Sequence, residues 1–242
     1  MPQSAEERTA ESAPRRLPRG RHALAPEVVE RIHRDRLYAA MAEAMAERGY
    51  VRTSVEDVLK RAVVSRQSFY RLFESKLDCF MGAFERAGEI LVAHVLNALD
   101  PNAEPAPASG DAPGNGGAVA ARPADDPLPT IEQAITAYLD VLAQEMPYAR
   151  LFLVEVYAAG AEAVERRTAL QASLAQVFAD LIGAKDDAGR YTCHVIVAAT
   201  SAMVTPAVAA GDPDALRALG PPLVDHIRRL WHAGMFDGAS PE

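Results

Sequence analysis

Cysteine is scarce. Cys79 and Cys193 are too few and too far apart for a disulfide framework or a C-x-x-C metal pair, and they fit a reducing compartment. Histidine is no better placed for metal: His194 adjoins Cys193, and His226 stands six residues before His232, whereas ligands on one helical face need a spacing of three or four. A G-x-S-x-G elbow, a phosphate-cradling glycine loop and a Cys/His nucleophile pair are all missing, so no catalytic residue, metal or cofactor is expected, and no enzyme. The N-terminus is polar and Arg-rich, without the apolar core of about 7 to 15 residues that a secretory signal requires, which points to the cytoplasm. No segment alternates in the manner of a strand, and no internal repeat is visible. The longest apolar stretch, 193–210, raises the question of a membrane span. It holds His194, Thr200, Ser201, Thr205 and Pro206 and little leucine, and reads as a buried interface helix, with no membrane partner.

Basic charge is also in deficit, at net −8, which speaks against a nucleic-acid partner until the chain is divided at Met81. Residues 1–80 carry 15 Lys/Arg against 12 Asp/Glu, net +3, and residues 81–242 carry 10 against 21, net −11. Positive charge therefore sits in the N-terminal third, as expected if only that part meets phosphate. Residues 1–25 lack apolar periodicity and read as a disordered arm made basic by Arg15, Arg16, Arg19, Arg21 and His22; it enters the minor groove or neutralises phosphate, or it is only a solubilising tail.

Beyond the arm the chain reads as helix. From Pro26, the apolar positions Val29, Ile32, Leu37, Met41, Ala44 and Met45 mark a helix that ends at Gly49. Thr53 or Ser54 caps a short helix, Ser65 another running through Phe73, and Ser75 a fourth extending to Leu99. Residues 100–129 then hold seven Pro, four Gly and eight Ala, too little apolar surface to offset ordering, and read as a flexible insertion. Helical spacing resumes at Ile131. The segment Leu151 to Tyr157 is apolar nearly all round and implies burial on several sides. Amphipathic helices succeed it to Gly183, near 188–209 and near 213–235, the last interrupted by Pro221 and Pro222.

A short helix, a tight turn and a second helix hold the second helix proud of the surface, so that its first turn enters the major groove. Arg66, Gln67 and Ser68 occupy that turn, and Arg with guanine or Gln with adenine are bidentate pairings. Phe69 and Phe73 lie four apart on the opposite face and are expected to anchor the helix to Leu37, Val58 and Leu59. The run TSVEDVLKRAVVSRQSFYRLF from Thr53 to Phe73, with Glu74, Ser75 and Lys76 behind it, resembles the DNA-binding signature of the TetR family. The likeness extends over about residues 26–96, and the segment from Ala149 to Gly160 is similar to C-terminal domains of actinobacterial-type members.

The resemblance implies an all-α fold of about nine helices: a three-helix helix-turn-helix domain over 26–73 and a helical ligand-binding and dimerisation domain over 74–242, interrupted by 100–129. It implies a homodimeric regulator that binds a double-stranded operator, most often a repressor, released by a small-molecule effector. Thr53, Tyr70 and Lys76 correspond to phosphate contacts, and with Ser65, Arg66, Gln67, Ser68 and Arg71 they form the expected DNA face; cap, half-buried packing and surface charge are the ordinary alternatives for the first three. The family usually places glycine in the turn where this chain has Val63, so either the turn is built differently or it carries strain. That departure keeps open a helical protein-interaction adaptor whose helix-turn-helix does not read sequence. Tyr138, Leu142, Phe152, Glu155, Tyr157, Phe178 and Met203 are expected either around an apolar ligand cavity or in a filled core, with Glu155 orienting a ligand or bonded structurally. Two helices, around Val195 to Val208 and Leu223 to Trp231, are expected to pair with their copies across a two-fold axis.

Overall fold

A computed structural model describes residues 25–99 and 126–237; the basic arm, residues 100–125 of the Pro/Gly/Ala stretch and residues 238–242 lie outside the described residues. Among the described residues every regular element is a helix. Helix α1 (Pro26–Arg48) opens on proline, whose missing N–H is no loss in a first turn, and stops at Gly49, whose N–H donates to the Met45 carbonyl oxygen at 2.9 Å. Helices α2 (Val55–Ala62) and α3 (Arg66–Leu72) come next, then the long α4 (Lys76–Leu99). The insertion is shorter at its C-terminal end than the composition suggests, because Pro129 occupies the first turn of α5 (Leu128–Gln144).

Helix α6 (Met146–Arg150) runs directly into a π-helical turn (Leu151–Glu155) and then α7 (Val156–Ala159). Leu151, Phe152, Leu153 and Val156 are all buried, as the all-round apolar run predicts. Helix α8 (Ala161–Ile182) ends at Gly183, α9 (Asp187–Ala210) at Gly211, and the two prolines introduce α11 (Gly220–His232) after the short α10 (Pro213–Ala218).

One core runs through both ends of the chain. Leu37, Met41, Met45, Val58, Phe69, Phe80 and Phe84 are continuous with Leu142, Leu151, Phe152, Val156, Val208 and Leu216. Phe84 of α4 and Phe152 of the π turn stack with centroids 4.7 Å apart. Helices α1 and α4 approach closely at Gly82, where a Cβ would stand 2.6 Å from the Tyr38 ring. A second, smaller cluster joins Ile131, Ile182, Cys193, Ile196, Leu223, Ile227 and Phe236.

That second cluster corrects the expected pairing face: Leu223 and Ile227 of α11 face inward, so α11 does not present them to a second copy. Exposed apolar side chains on α8 and α9 include Val177, Tyr191, Val195 and Met203, and others stand on α4 at Val92 and Leu96. Helix α9 is long and apolar enough to cross a membrane, and only 22% of its most apolar window is buried, so the helix leaves most of that surface uncovered within one chain.

Candidate nucleic-acid interface

The α2–turn–α3 unit is fixed by short-range chemistry. Ser54, not Thr53, caps α2: its hydroxyl accepts from the Asp57 N–H at 3.2 Å, and Asp57 Oδ2 accepts the Ser54 N–H at 2.9 Å, a reciprocal box. The bonds from the Ser54 side chain and backbone hold the Asp57 carboxyl below its ordinary range. Ser65 caps α3 by accepting the Ser68 N–H at 3.0 Å. Between the helices Val63 adopts φ 55° and ψ 44°, the sole non-glycine residue with positive φ among the described residues. The turn is thus built as glycine would build it, with the strain of a β-branched residue in the left-handed region. A turn of the expected shape removes the reason for reading the unit as an adaptor.

Phe69 and Phe73 are buried with centroids 5.6 Å apart, in the same core as Leu37, Val58 and Leu59. With that face anchored, Arg66, Gln67, Tyr70 and Arg71 are left outward. The Gln67 side chain makes no hydrogen bond or ion pair among the described residues. Arg66 Nη2 meets Glu56 Oε2 at 3.1 Å and Arg71 Nε meets Glu30 Oε1 at 3.4 Å, so both cations have carboxylate partners within the fold. The Ser65 and Ser68 hydroxyls bond each other at 2.9 Å and serve the cap. Glu56 is a residue that sequence reasoning misses: its pairing with Lys60 at (i, i+4) is legible, but its contact with Arg66 crosses the turn.

Two of the expected phosphate ligands, Thr53 and Lys76, are engaged by contacts within the chain. Thr53 is buried: its hydroxyl donates to the Gly49 carbonyl at 2.8 Å and reaches the Ala44 carbonyl at 3.3 Å, and its N–H points to the Tyr50 carbonyl. The chain must turn inward here to leave α1, which consumes these groups. Lys76 Nζ donates to the Tyr50 and Thr53 carbonyls at 2.9 and 3.0 Å and lies 4.0 Å from the Tyr50 ring centroid. Desolvation lowers its pKa. It is a tether for the α1–α2 loop, drawn there by carbonyls that no helix satisfies.

The expected ligand residues do not converge. Leu142 and Phe152 share a crevice between α4, α5 and α6 with Leu91, Val141 and Tyr148, but its volume is about 20 Å³, room for a water and no more. Tyr138 packs against the main core, and burial pushes its hydroxyl pKa up. Phe178 belongs to the second cluster, and Met203 faces out from α9. Tyr157 is exposed beneath the Arg167 guanidinium, 5.2 Å from the ring centroid. The π turn explains this outward placement, since its extra residue rotates the succeeding helix away from the face that an unbroken α-helix would present. Glu155 accepts the Tyr50 N–H at 2.8 Å and faces α1, not a cavity. Another concavity, an open groove of about 510 Å³ walled by His94, Glu132, Gln133, Thr136 and Asp140, includes none of the expected residues.

Residues 37–81 match the family model described as bacterial regulatory proteins, tetR family. No curated protein matches the chain. Among solved structures, the fatty acid degradation regulator FadR from Bacillus halodurans is similar at 17% identity and TM-score 0.61, covering 87% of this chain and 97% of that one. A TetR-like transcriptional regulator from Rhodococcus sp. RHA1 is 18% identical with TM-score 0.58, covering 88% and 99%. FadR from Bacillus subtilis, in complex with stearoyl-CoA, is 15% identical with TM-score 0.57, covering 79% and 95%. At these identities the likeness establishes a shared fold, while the family match falls on the capped helix-turn-helix itself. The match is confined to that DNA-binding domain: residues 37–81 are similar to the tetR family of bacterial regulatory proteins, and the chain is a DNA-binding transcriptional regulator.

Proposed function

We propose that the chain works in the cytoplasm as a homodimeric repressor that reads an operator through α3 and lets go of it when a small apolar molecule binds the C-terminal domain. The observation that carries this reading is the division of α3 into a buried anchor, Phe69 with Phe73, and an open face bearing Arg66, Gln67 and Tyr70. In this division Arg66 and Gln67 meet base edges, Tyr70 and Arg71 meet phosphate, and residues 26–73 act as the head of a sensor formed by the rest. A gel shift over a salt series, with duplexes recovered by selection from randomised DNA, tests it: a specific band must stand above nonspecific background.

The second copy docks on α8 and α9, whose exposed Val177, Val195 and Met203 would otherwise leave an apolar patch in water. This use of α9 also accounts for its apolar length without a bilayer. Two heads related by that axis expect half-sites about 34 to 36 Å apart, or a multiple. A stable monomer in the ultracentrifuge at micromolar concentration would contradict the assignment.

An effector cannot enter the crevice beside Phe152 as it stands. It must widen the crevice against its α4 wall of Ala87, Ile90 and Leu91, and so displace α4, the helix whose first residue braces the head. Stearoyl-CoA in the complex of the Bacillus subtilis protein is the precedent for a ligand with a long apolar part. By linkage, DNA weakens effector binding by the factor that effector weakens DNA binding, and calorimetric titration into free and operator-bound protein measures both.

A further inference from the structure

The loop from Gly49 to Thr53, which delivers the chain from α1 to α2, is held from two sides. On the C-terminal side stands Glu155, the last residue of the π turn, 7% exposed, with Oε2 accepting the Tyr50 N–H at 2.8 Å. Its Oε1 lies 3.3 Å from Arg150 Nε, close enough for an ion pair though not aligned for a hydrogen bond. Arg150 in turn donates through Nη1 to the Ala209 carbonyl at 2.7 Å, at the end of α9. On the other side Lys76 takes the Tyr50 and Thr53 carbonyls. Gly49 is what lets the carboxylate come so near: a Cβ there would stand 3.1 Å from Oε2, and its φ of 76° suits glycine.

Burying a carboxylate is unfavourable unless charge-assisted bonds satisfy it, so Glu155 holds its partners wherever this packing persists. Its hydrogen bond to the loop is to backbone, which fixes where the chain goes and not what its side chains do. π turns are rare and concentrate at functional positions, and this one supplies the rotation that brings Glu155 to α1. We infer that Glu155 is a positioning residue for DNA reading: it pins the α1–α2 corner to the C-terminal body and so sets the angle at which α2 and α3 are presented. This role rests on the regulator reading above. It is a link separate from α4, running from the end of α9 through Arg150 and Glu155 to the head, and through it a shift at α9 reaches the reading surface.

Hydrogen exchange at the Tyr50 amide reads the contact directly. If Glu155 positions the head for its operator, linkage requires the operator to stabilise the contact, so a duplex recovered by selection slows Tyr50 exchange in the wild-type protein more than an unrelated duplex does. Glu155→Leu speeds that exchange and weakens specific binding by roughly tenfold, leaving nonspecific binding unchanged. Glu155→Gln, whose amide oxygen still accepts from Tyr50, stays near wild type in both. Tyr50 exchange indifferent to operator, or a Leu variant that binds operator like wild type, overturns the role. If the Leu variant does not fold, the wild-type comparison decides alone. A wild-type protein that selects no duplex removes the regulator reading and this role with it; that outcome is told apart from loss of the contact by the exchange of the free Leu variant.

Discussion

Arg66, at the start of α3, lies 3.1 Å from the Glu56 carboxylate of α2, so the residue proposed to meet a base edge is paired within the protein before DNA arrives. Both side chains are largely exposed, and such a pair is worth ~0 to 1 kcal/mol, little enough for a base edge to displace it. The displaced carboxylate then remains beside the phosphates. Glu56→Gln is therefore expected to tighten binding to all duplexes a few-fold, measured by gel shift. Arg66→Ala and Gln67→Ala are expected to change base preference instead, each good bidentate contact being worth ~1 to 3 kcal/mol. An unchanged consensus for both in binding selections would remove the assignment.

Lys76→Met is a test of structure against phosphate binding. Loss of two bonds from a charged group to loop carbonyls is expected to lower stability by ~1 to 3 kcal/mol in urea melts. The slope of log affinity against log salt is expected to stay put, whereas a true phosphate ligand would reduce it by about one. Tyr70→Phe, by contrast, is expected to weaken binding to every sequence alike.

Val63→Gly relieves the left-handed strain at the turn. Since glycine also gains freedom in the unfolded chain, the net gain is expected to be up to about 1 kcal/mol, seen as a higher urea midpoint at constant m-value.

Acid is expected to weaken the head through His33. Burial first, then Arg36 and Arg71, lower its pKa from 6.5, and its Nδ1 is buried without a hydrogen-bond partner. The folded state therefore keeps His33 neutral at pH values where the unfolded chain has bound a proton. Its contribution is fully present above 6.5 and is lost as pH falls through the depressed folded value. Urea midpoints of wild type and His33→Gln, compared between about pH 7.5 and pH 5.5, are expected to diverge on the acid side, the variant falling less.

Features decided by neighbours in the chain are legible in the sequence. The Ser65 cap, the Phe69 and Phe73 anchor and the stop at Gly49 depend on residues within a turn or two of one another. The choice between Thr53 and Ser54 is not legible, because it turns on which hydroxyl finds the carbonyls of the α1 end. Lys76 has the position of a phosphate ligand and the surroundings of a tether, and only the fold supplies the surroundings. The π turn has no periodicity of its own, so Glu155 and Tyr157 cannot be assigned their faces in advance. Likewise, the apolar residues of α11 read equally well as a self-pairing seam until Ile131 and Ile182 are found against them.

Because Met41, Met45, Phe80 and Phe84 share one uninterrupted core with Leu151, Phe152 and Val156, the DNA-reading end is not a portable module. Severed from α6 and α7 it would lose one wall of its interior, and grafted onto another sensor it would meet side chains of the wrong shape. On the proposed division of α3, retargeting this regulator to a new operator is accordingly a matter of recoding Arg66 and Gln67 in place, with the seam beneath them left untouched.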